Sequence, residues 1–502
     1  MGMSDMMTAE AGVVPTTGAA TTIHDWVRHS TRRDKRSRRV SATVFSGAGR
    51  LVDVLVLVLA GLAACAVIGI VRLHYGAHLM AVVVGDWMVV TSLSYSGAYK
   101  VTRLRRPLIQ LFCILLAVMI GMAAVDLCLF LEYNMTLPKE PFPEIWAGCT
   151  ALVLCLSHGL ASFLVFRWSA SGRLRRNVAV IGVSDLSRSL IEGVRKAQNT
   201  ELHIVGIYDD SAPTQSSHAG VPVLGCVSDL LEHGRDDSFD TIVVAGSVQE
   251  ATHVQNVCSQ LSSAIADVYL MTDVNGRNLG SPIFGEVCDR VVVQIRRRPL
   301  DDWQIVQKML FDRAGSLIAI ALLSPLLLTL ALLVRMSGPG PIVFRQVRVG
   351  FNNKPFICFK FRSMHHNRPD SHEIAQATRQ DPRVTWIGRW LRKLSLDELP
   401  QLFNVMHGDM SLVGPRPHAP ATKAGNRYFQ DVVADYAVRH RVKPGITGWA
   451  QVNGWRGETR TVEQLQSRID HDLHYIENWS MYLDMKILFL TVLRELKSKT
   501  AY

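Results

Sequence analysis

Four apolar stretches, at about 51–73, 79–98, 107–131 and 145–166, constrain this 502-residue chain more than any other feature in it. Each is close to the roughly 20 residues that an α-helix needs to cross the hydrocarbon core of a bilayer. Lipid offers the backbone no hydrogen-bond partners, so such stretches read as four transmembrane helices, over residues 51–170. The connecting segments alternate in charge. Basic residues cluster at 28–39, 100–106 and 167–176, whereas 74–78 and 132–144 hold few. Cationic loops stay on the cytoplasmic side, which puts both ends of this region in the cytoplasm. Residues 1–50 read as a disordered basic cytoplasmic tail, without the short apolar core of a signal peptide. Asp53, Asp86, Asp126 and His158 fall in or beside the apolar stretches. Ionisable groups there are either interhelical contacts or parts of a lipid or proton path.

Charged residues make up only 19% of the chain and its net charge is +11. A basic balance suits nucleic acid, anionic lipid or a phosphorylated substrate. The basic clusters flank apolar segments and are not interleaved with aromatics as in a stacking platform, which argues against nucleic acid. The nine cysteines are scattered without a C-x-x-C pair, so neither a disulfide framework nor a zinc site is expected.

Residues 177–300 change character. Arg176 to Gly182 is a buried strand ending in glycine, and Leu186 to Ala197 reads as the helix after it. His203 to Asp209 is a second strand with an acidic end, followed by Val221–Gly225 and Asp240–Ala245. Strands alternating with helices imply a Rossmann-like parallel sheet. Gly182-Val-Ser-Asp-Leu-Ser187 lacks the second and third glycines that let a dinucleotide phosphate approach the backbone, and Asp185 adds a repelling charge. This domain therefore reads as structural or regulatory rather than as a working cofactor site.

A fifth apolar segment runs from about 311, its core at 313–335, with Arg313 and Arg335 at its flanks and Ser324-Pro325 at its middle. Proline removes a helix hydrogen bond there. A kinked spanning helix and a re-entrant helix returning to the cytoplasm both satisfy these residues.

The last third is polar and rich in Arg, Gly and Pro. Residues 344–364 alternate apolar and basic side chains, as in a hairpin presenting Arg345, Arg348, Lys360 and Arg362. Guanidinium and ammonium groups on a rigid surface suit phosphate oxygens, and equally a solvated face near lipid headgroups. Asp397 and Glu398 are adjacent carboxylates before a helix with Pro400 in its first turn, whose dipole is expected to keep Asp397 ionised. An ionised carboxylate can attack phosphorus, and its neighbour can hold a divalent cation. Read in isolation, Asp-Glu is also simply a helix N-terminus.

The surrounding residues narrow this choice. Lys360-Phe-Arg-Ser-Met364, Leu394-Ser-Leu-Asp-Glu-Leu-Pro-Gln-Leu-Phe-Asn404, Gly408-Asp-Met-Ser-Leu-Val-Gly-Pro-Arg-Pro417 and Lys443-Pro-Gly-Ile-Thr-Gly-Trp-Ala-Gln-Val-Asn-Gly454 follow in order, then Asp472, Tyr475, Trp479, Ser480, Asp484 and Lys486. In these motifs the chain resembles the bacterial sugar transferase family, polyprenyl-phosphate phosphoglycosyl transferases of the large monotopic type. The resemblance covers residues 305–502. It implies four membrane helices, a Rossmann-like domain, and a C-terminal α/β catalytic domain whose membrane helix re-enters at Ser324-Pro325.

By the same resemblance Asp397 is the nucleophile that takes hexose-1-phosphate from a UDP-sugar, releasing UMP, and Glu398 is the ligand of a magnesium ion (Mg2+). Lys360, Arg392 and Arg416 match basic positions that engage phosphates or fix the dyad. The segment holding Pro444, Gly445, Gln451 and Asn453, with Arg439 and Arg441 ahead of it, is similar to the nucleotide-side loop. The implied partners are a UDP-sugar, undecaprenyl phosphate and the lipid bilayer, with a homodimer left open. The implied place is the bacterial inner membrane, multi-pass, with a cytoplasmic catalytic domain, and the implied role is the start of exopolysaccharide or capsule assembly. Glucose is the expected sugar and galactose the alternative. His407, His418 and Trp455 depart from the side chains usual in the family. A membrane nucleotide-sugar dehydratase would need a glycine-rich NAD loop and a Tyr-x-x-x-Lys pair, found only as Tyr482–Lys486 inside the transferase-like tail. A non-catalytic membrane scaffold sensing nucleotides is the remaining rival.

Overall fold

The computed structural model describes residues 40–497, apart from 69–74, 134–140, 197–201, 211–216, 235–238, 247–250, 273–290, 366–380, 419–422, 425–426, 429–435 and 458–460. The chain divides into two compact units, one formed by residues 35–176 with 200–203, the other by the rest.

The first unit holds four long helices: α1 (Ala42–Ile68), α2 (Tyr75–Tyr95), α3 (Pro107–Glu132) and α4 (Phe142–Ala170). All four are long and apolar enough to cross a membrane. Their shared core includes Leu57, Val89, Val125, Trp146 and Leu154. Their outer faces expose Leu55, Phe112, Leu156 and Phe166. A helix apolar on all sides has an outer face suited to lipid rather than water. Gly85 and Gly121 leave the room that Trp146 fills: a Cβ on either would stand 3.0 and 2.9 Å from its ring. Small residues let membrane helices approach in this way.

Helix α1 begins at Ala42, inside the stretch expected to be a disordered tail. Its first turns are held by the bond from Val40 N to Arg173 O (2.9 Å) and by Phe45 set edge-on against Trp168. Residues 1–39 lie outside the described residues. His158 Nε2 lies 2.8 Å from Asp53 Oδ2, Ser157 Oγ donates to Asp53 Oδ1 at 2.9 Å, and Gln110 Nε2 bonds His158 Nδ1. Two of the intramembrane ionisable groups are thus an interhelical pair.

The second unit begins with a seven-stranded sheet: β1 (Arg176–Ile181), β2 (Leu202–Tyr208), β3 (Ser217–His218), β4 (Val221–Gly225), β5 (Thr241–Ala245), β6 (Asp267–Thr272) and β7 (Val291–Arg296). The strand order is β3-β4-β2-β1-β5-β6-β7. β2 pairs parallel with β4, β1 with β5 and β5 with β6, while β3 and β7 are antiparallel edges. The connecting helices are α5 (Asp185–Lys196), α6 (Val227–Gly234) and α7 (Ala251–Gln260). At the C-terminal end of β1, Gly182 takes φ +98, and a Cβ there would meet Ala245 O at 2.8 Å. The next amide, Val183 N, donates to Asp209 Oδ2 at 2.6 Å. The chain's own carboxylate thus engages the first amide after the strand-end glycine.

Helix α8 (Asp302–Met336) is a single run of 35 residues, about 52 Å at 1.5 Å per residue. It starts nine residues before the apolar segment because Asp301 and Gln304 form a reciprocal capping box. It continues through Pro325. A proline there leaves the carbonyl of Ala321 without its usual donor, and Ser324 Oγ supplies one at 2.8 Å. The Ser-Pro pair therefore does not end the helix, and a re-entrant break stays an inference from sequence.

Strands β8 (Val343–Val349) and β9 (Pro355–Phe361) form the expected hairpin, with Val343 opposite Phe361 and Val349 opposite Pro355. Helix α9 (Trp386–Lys393), a 3-10 turn (Leu396–Glu398) and helix α10 (Gln401–His407) follow. β10 (Ser411–Val413) pairs parallel with β11 (Gly445–Thr447). Helices α11 (Trp449–Val452), α12 (Val462–Glu477) and α13 (Met481–Lys497) complete the unit.

A buried charged cluster ties the base of α8 to α12 and α13. Lys308 Nζ donates to Asp484 Oδ2 (2.7 Å), and Asp484 also accepts from Tyr475 (2.7 Å) and Trp479 (3.3 Å). Asp312 on α8 accepts from Ser411 Oγ and Leu412 N, both at 3.0 Å.

Candidate active site

The site is built where the hairpin, the 3-10 turn and the segment after β10 converge. Asn404 on α10 docks the turn onto β9: its Oδ1 accepts from Phe359 N (2.9 Å) and its Nδ2 donates to Ile357 O (2.6 Å). Ser395, just before the turn, takes φ +54, a conformation uncommon outside glycine, and its Oγ accepts from Arg456 Nη2 at 2.7 Å. Strained backbone of this kind gathers at functional sites. Here it throws the chain sharply from α9 into the carboxylate pair.

The two carboxylates are treated in opposite ways. Glu398 is buried and gripped by cations. Lys360 Nζ lies 2.7 Å from Oε1, and Arg416 makes a fork, Nη1 to Oε2 at 2.9 Å and Nη2 to Oε1 at 2.5 Å. Burial alone would raise its pKa, but Arg416 and then Lys360 hold it well below the usual carboxylate range. Asp397 makes no hydrogen bond or ion pair among the described residues. Burial raises it to about 6, and the negative Glu398 adds to the rise while Lys360, Arg416 and Arg392 pull it down. The expected helix-dipole effect does not govern Asp397, because the helix beyond it has only seven residues and burial dominates. At neutral pH the group is still mostly ionised. It is a half-buried carboxylate with open oxygens, which is what nucleophilic attack on phosphorus needs.

A family model described as bacterial sugar transferase matches residues 303–498, and one described as a CoA-binding domain matches 94–272. The undecaprenyl-phosphate glucose phosphotransferase of Komagataeibacter xylinus is 39% identical over 361 residues, covering 71% of this chain and 66% of that protein. The UDP-glucose:undecaprenyl-phosphate glucose-1-phosphate transferase of Klebsiella pneumoniae is 39% identical over 376 residues, 74% of this chain and 78% of that protein. Its namesake in Escherichia coli (strain K12) is 39% identical over 331 residues, 66% and 70% of the two chains.

The chain belongs to the bacterial sugar transferase family.

Within this transferase, Asp397, Glu398, Lys360 and Arg416 come together as the motifs imply, and the charge of Arg392 reaches Asp397. Arg362 is placed elsewhere. Its guanidinium donates to the carbonyls of Val334 (2.8 Å), Gly338 (2.7 Å) and Pro339 (2.7 Å), closing the C-terminal end of α8. Three of its donors are spent on backbone, and Arg362 is not among the residues that line the cavity beside Glu398.

Arg439 is likewise buried, its Nη2 2.8 Å from Asp472 Oδ2 and from Arg416 O. It braces the main chain that carries Arg416. Arg441 donates to Arg297 O at 2.8 Å. Pro444 and Gly445 are buried in the β10–β11 pairing, where Gly445 N donates to Pro415 O at 3.0 Å. Gln451 is buried and Asn453 exposed, the latter donating to Trp449 O at 2.8 Å.

A small cavity beside the dyad is lined by Arg348, Cys358, Lys360, Glu398, Gln401, Arg416 and Pro417. Sequence reasoning passed over Gln401, Ser395 and Asn404, although all three lie inside a quoted motif. Their places depend on residues far along the chain: Asn404 on the strand of Ile357 and Phe359, Ser395 on Arg456, and Gln401 on the cavity it shares with Arg348 and Lys360. As to magnesium, both Glu398 oxygens already accept from cations, which leaves a metal poorly placed there. Among the described residues no group of three or more His, Cys, Asp or Glu could hold a metal. The geometry does not fit a metal at Glu398, and no step below is routed through one.

Proposed function

We propose that this enzyme transfers glucose-1-phosphate from UDP-glucose to undecaprenyl phosphate through a covalent intermediate on Asp397. An Asp397 carboxylate oxygen attacks the β-phosphorus, the bond from that phosphorus to the bridging oxygen breaks, and UMP leaves with the electron pair. A phosphate oxygen of undecaprenyl phosphate then attacks the same phosphorus, expelling the Asp397 carboxylate and forming the lipid diphosphate sugar. The observation that carries this reading is the contrast within the dyad: Glu398 buried and fully engaged by Lys360 and Arg416, Asp397 half-buried and unengaged. Fixed charges around a phosphoryl group supply most of the catalysis in such transfers. The names of the relatives support glucose and undecaprenyl phosphate.

In the same reading the protein sits in the bacterial inner membrane, its catalytic domain faces the cytoplasm, and α8 dips in at Pro325 and returns. Basic residues at both ends of that helix favour this. A cysteine placed at either end should then label from the cytoplasmic side alone.

The deciding test supplies purified enzyme in nanodiscs with undecaprenyl phosphate, magnesium and UDP-glucose or UDP-galactose labelled in the sugar. Labelled lipid and stoichiometric UMP are expected with UDP-glucose. Asp397→Asn should lose at least about 1,000-fold in rate, as expected for a nucleophile without substitute. Transfer by that variant at the wild-type rate would refute the covalent route.

A further inference from the structure

We propose that Arg348 is a third phosphate-binding cation of this active site, resting on the phosphosugar-transfer reading above. The hairpin register sets its direction. Gln346 lies opposite Cys358, Arg348 opposite Phe356, and Phe344 opposite Lys360. Paired residues share a face and alternate residues repeat it, so Arg348, Cys358 and Lys360 all stand on the face toward Glu398. The cavity beside Glu398 is lined by these three side chains together with Arg416.

The charge balance there is incomplete. Arg348, Lys360 and Arg416 bring three positive charges to the cavity, and Glu398 is the one carboxylate lining it. Lys360 and Arg416 share that carboxylate. Arg348 has no ion pair among the described residues. Its Nε and Nη2 donate to Gln346 Oε1 at 3.1 and 2.6 Å, and its Nη1 donates to Pro417 O at 3.2 Å. A guanidinium carries five N–H donors, so two are left over. A charge removed from water without a counterion is costly, and an arriving anion removes that cost. With the neighbouring Asp397 also ionised, these three cations still outnumber the two carboxylates, and a fork with two open donors suits the oxygens of an arriving phosphate. Gln346, on the same face, holds the fork in place before the anion arrives.

The anion is a phosphate, either of the nucleotide-sugar diphosphate or of the lipid acceptor. The experiment compares Arg348→Ala, Arg348→Lys and wild-type full-length enzyme in nanodiscs, varying each substrate in turn. If the donor phosphate is held, KM for UDP-glucose rises about 10- to 100-fold in Arg348→Ala, as for loss of a charge-assisted hydrogen bond. If the acceptor phosphate is held, KM for undecaprenyl phosphate rises instead. Either result supports the proposal, and kcat falls less than KM rises. Arg348→Lys, which keeps the charge but not the fork, recovers part of the loss.

Both KM values within twofold of wild type, with only kcat or thermal midpoint lowered, would overturn it. Arg348 would then merely brace Pro417. Calorimetric titration of UMP and of inorganic pyrophosphate into the same proteins needs no turnover. Should wild-type enzyme process neither UDP-sugar, the functional reading falls. Equal affinity of wild type and Arg348→Ala for both anions would separately dispose of Arg348.

Discussion

Replacing Lys360 with methionine should move the pH dependence of UMP release in a direction that the charge arrangement dictates. In the wild type Asp397 has its pKa raised to about 6. The attacking form is the ionised one, so the rate is full well above that value and falls tenfold per pH unit below it. Lys360 is the strongest of the influences pulling Asp397 down. A nearby opposite charge is worth about 1–3 units. With Arg416 and Arg392 still present, about 1 unit is expected. Glu398 keeps its Arg416 fork and stays ionised, so it continues to push Asp397 up.

The acid limb of Lys360→Met should therefore centre near about pH 7 rather than 6. At pH 6 the ionised fraction falls from about one half to about one tenth, a fivefold loss beyond any loss seen at pH 9. The assay is a rapid-quench burst of UMP from UDP-glucose with enzyme in excess and no lipid acceptor, from pH 5 to 9. Omitting the acceptor removes titration of its phosphate from the profile. A wild-type rate that stays flat down to pH 5, or a variant limb that is unmoved or moves to lower pH, would refute the assignment of Asp397 and its electrostatics.

Lys308→Met leaves Asp484 buried and charged without its cation and should cost about 3–5 kcal/mol of stability, read by thermal unfolding in nanodiscs. Adding Asp484→Asn should recover a large part of that loss. Arg362→Ala removes the donors to three carbonyls at the end of α8 and should cost about 2 kcal/mol or more, with KM for both substrates unchanged. A rise in either KM would return Arg362 to the phosphate site. Gly445→Ala would press a Cβ into Gly414 N beyond the end of β10 and into Thr447 O of its own strand. About 1–3 kcal/mol of destabilisation and a lower thermal midpoint are expected, and an unshifted midpoint would show that the pair can part.

The hydropathy of residues 51–170 made the helices legible, because a helix in lipid must be apolar along its whole length. Their ends were less so: α1 begins at Ala42 because Phe45 finds Trp168 and Val40 finds Arg173, contacts between residues more than 100 positions apart. Alternation of strand and helix announced the parallel sheet, yet no sequence pattern could say that Asp209 fills the amide at Val183. In the catalytic region the motifs named Asp397, Glu398, Lys360 and Arg416. They also drew Arg362 to the phosphates and Arg439 to the nucleotide side, since a buried arginine that bonds carbonyls or a structural carboxylate looks the same in sequence as one that waits for a ligand.

By itself, then, the sequence determined what is periodic or local: the apolar spans, the strand and helix order, the hairpin alternation and the residue types of the dyad. Only the tertiary structure decided which cations spend their donors within the protein, which carboxylate is clamped and which is open, and where charge is left over. Those outcomes rest on distances between residues far apart in the chain and on the water removed between them, and neither quantity is written in any short stretch of sequence.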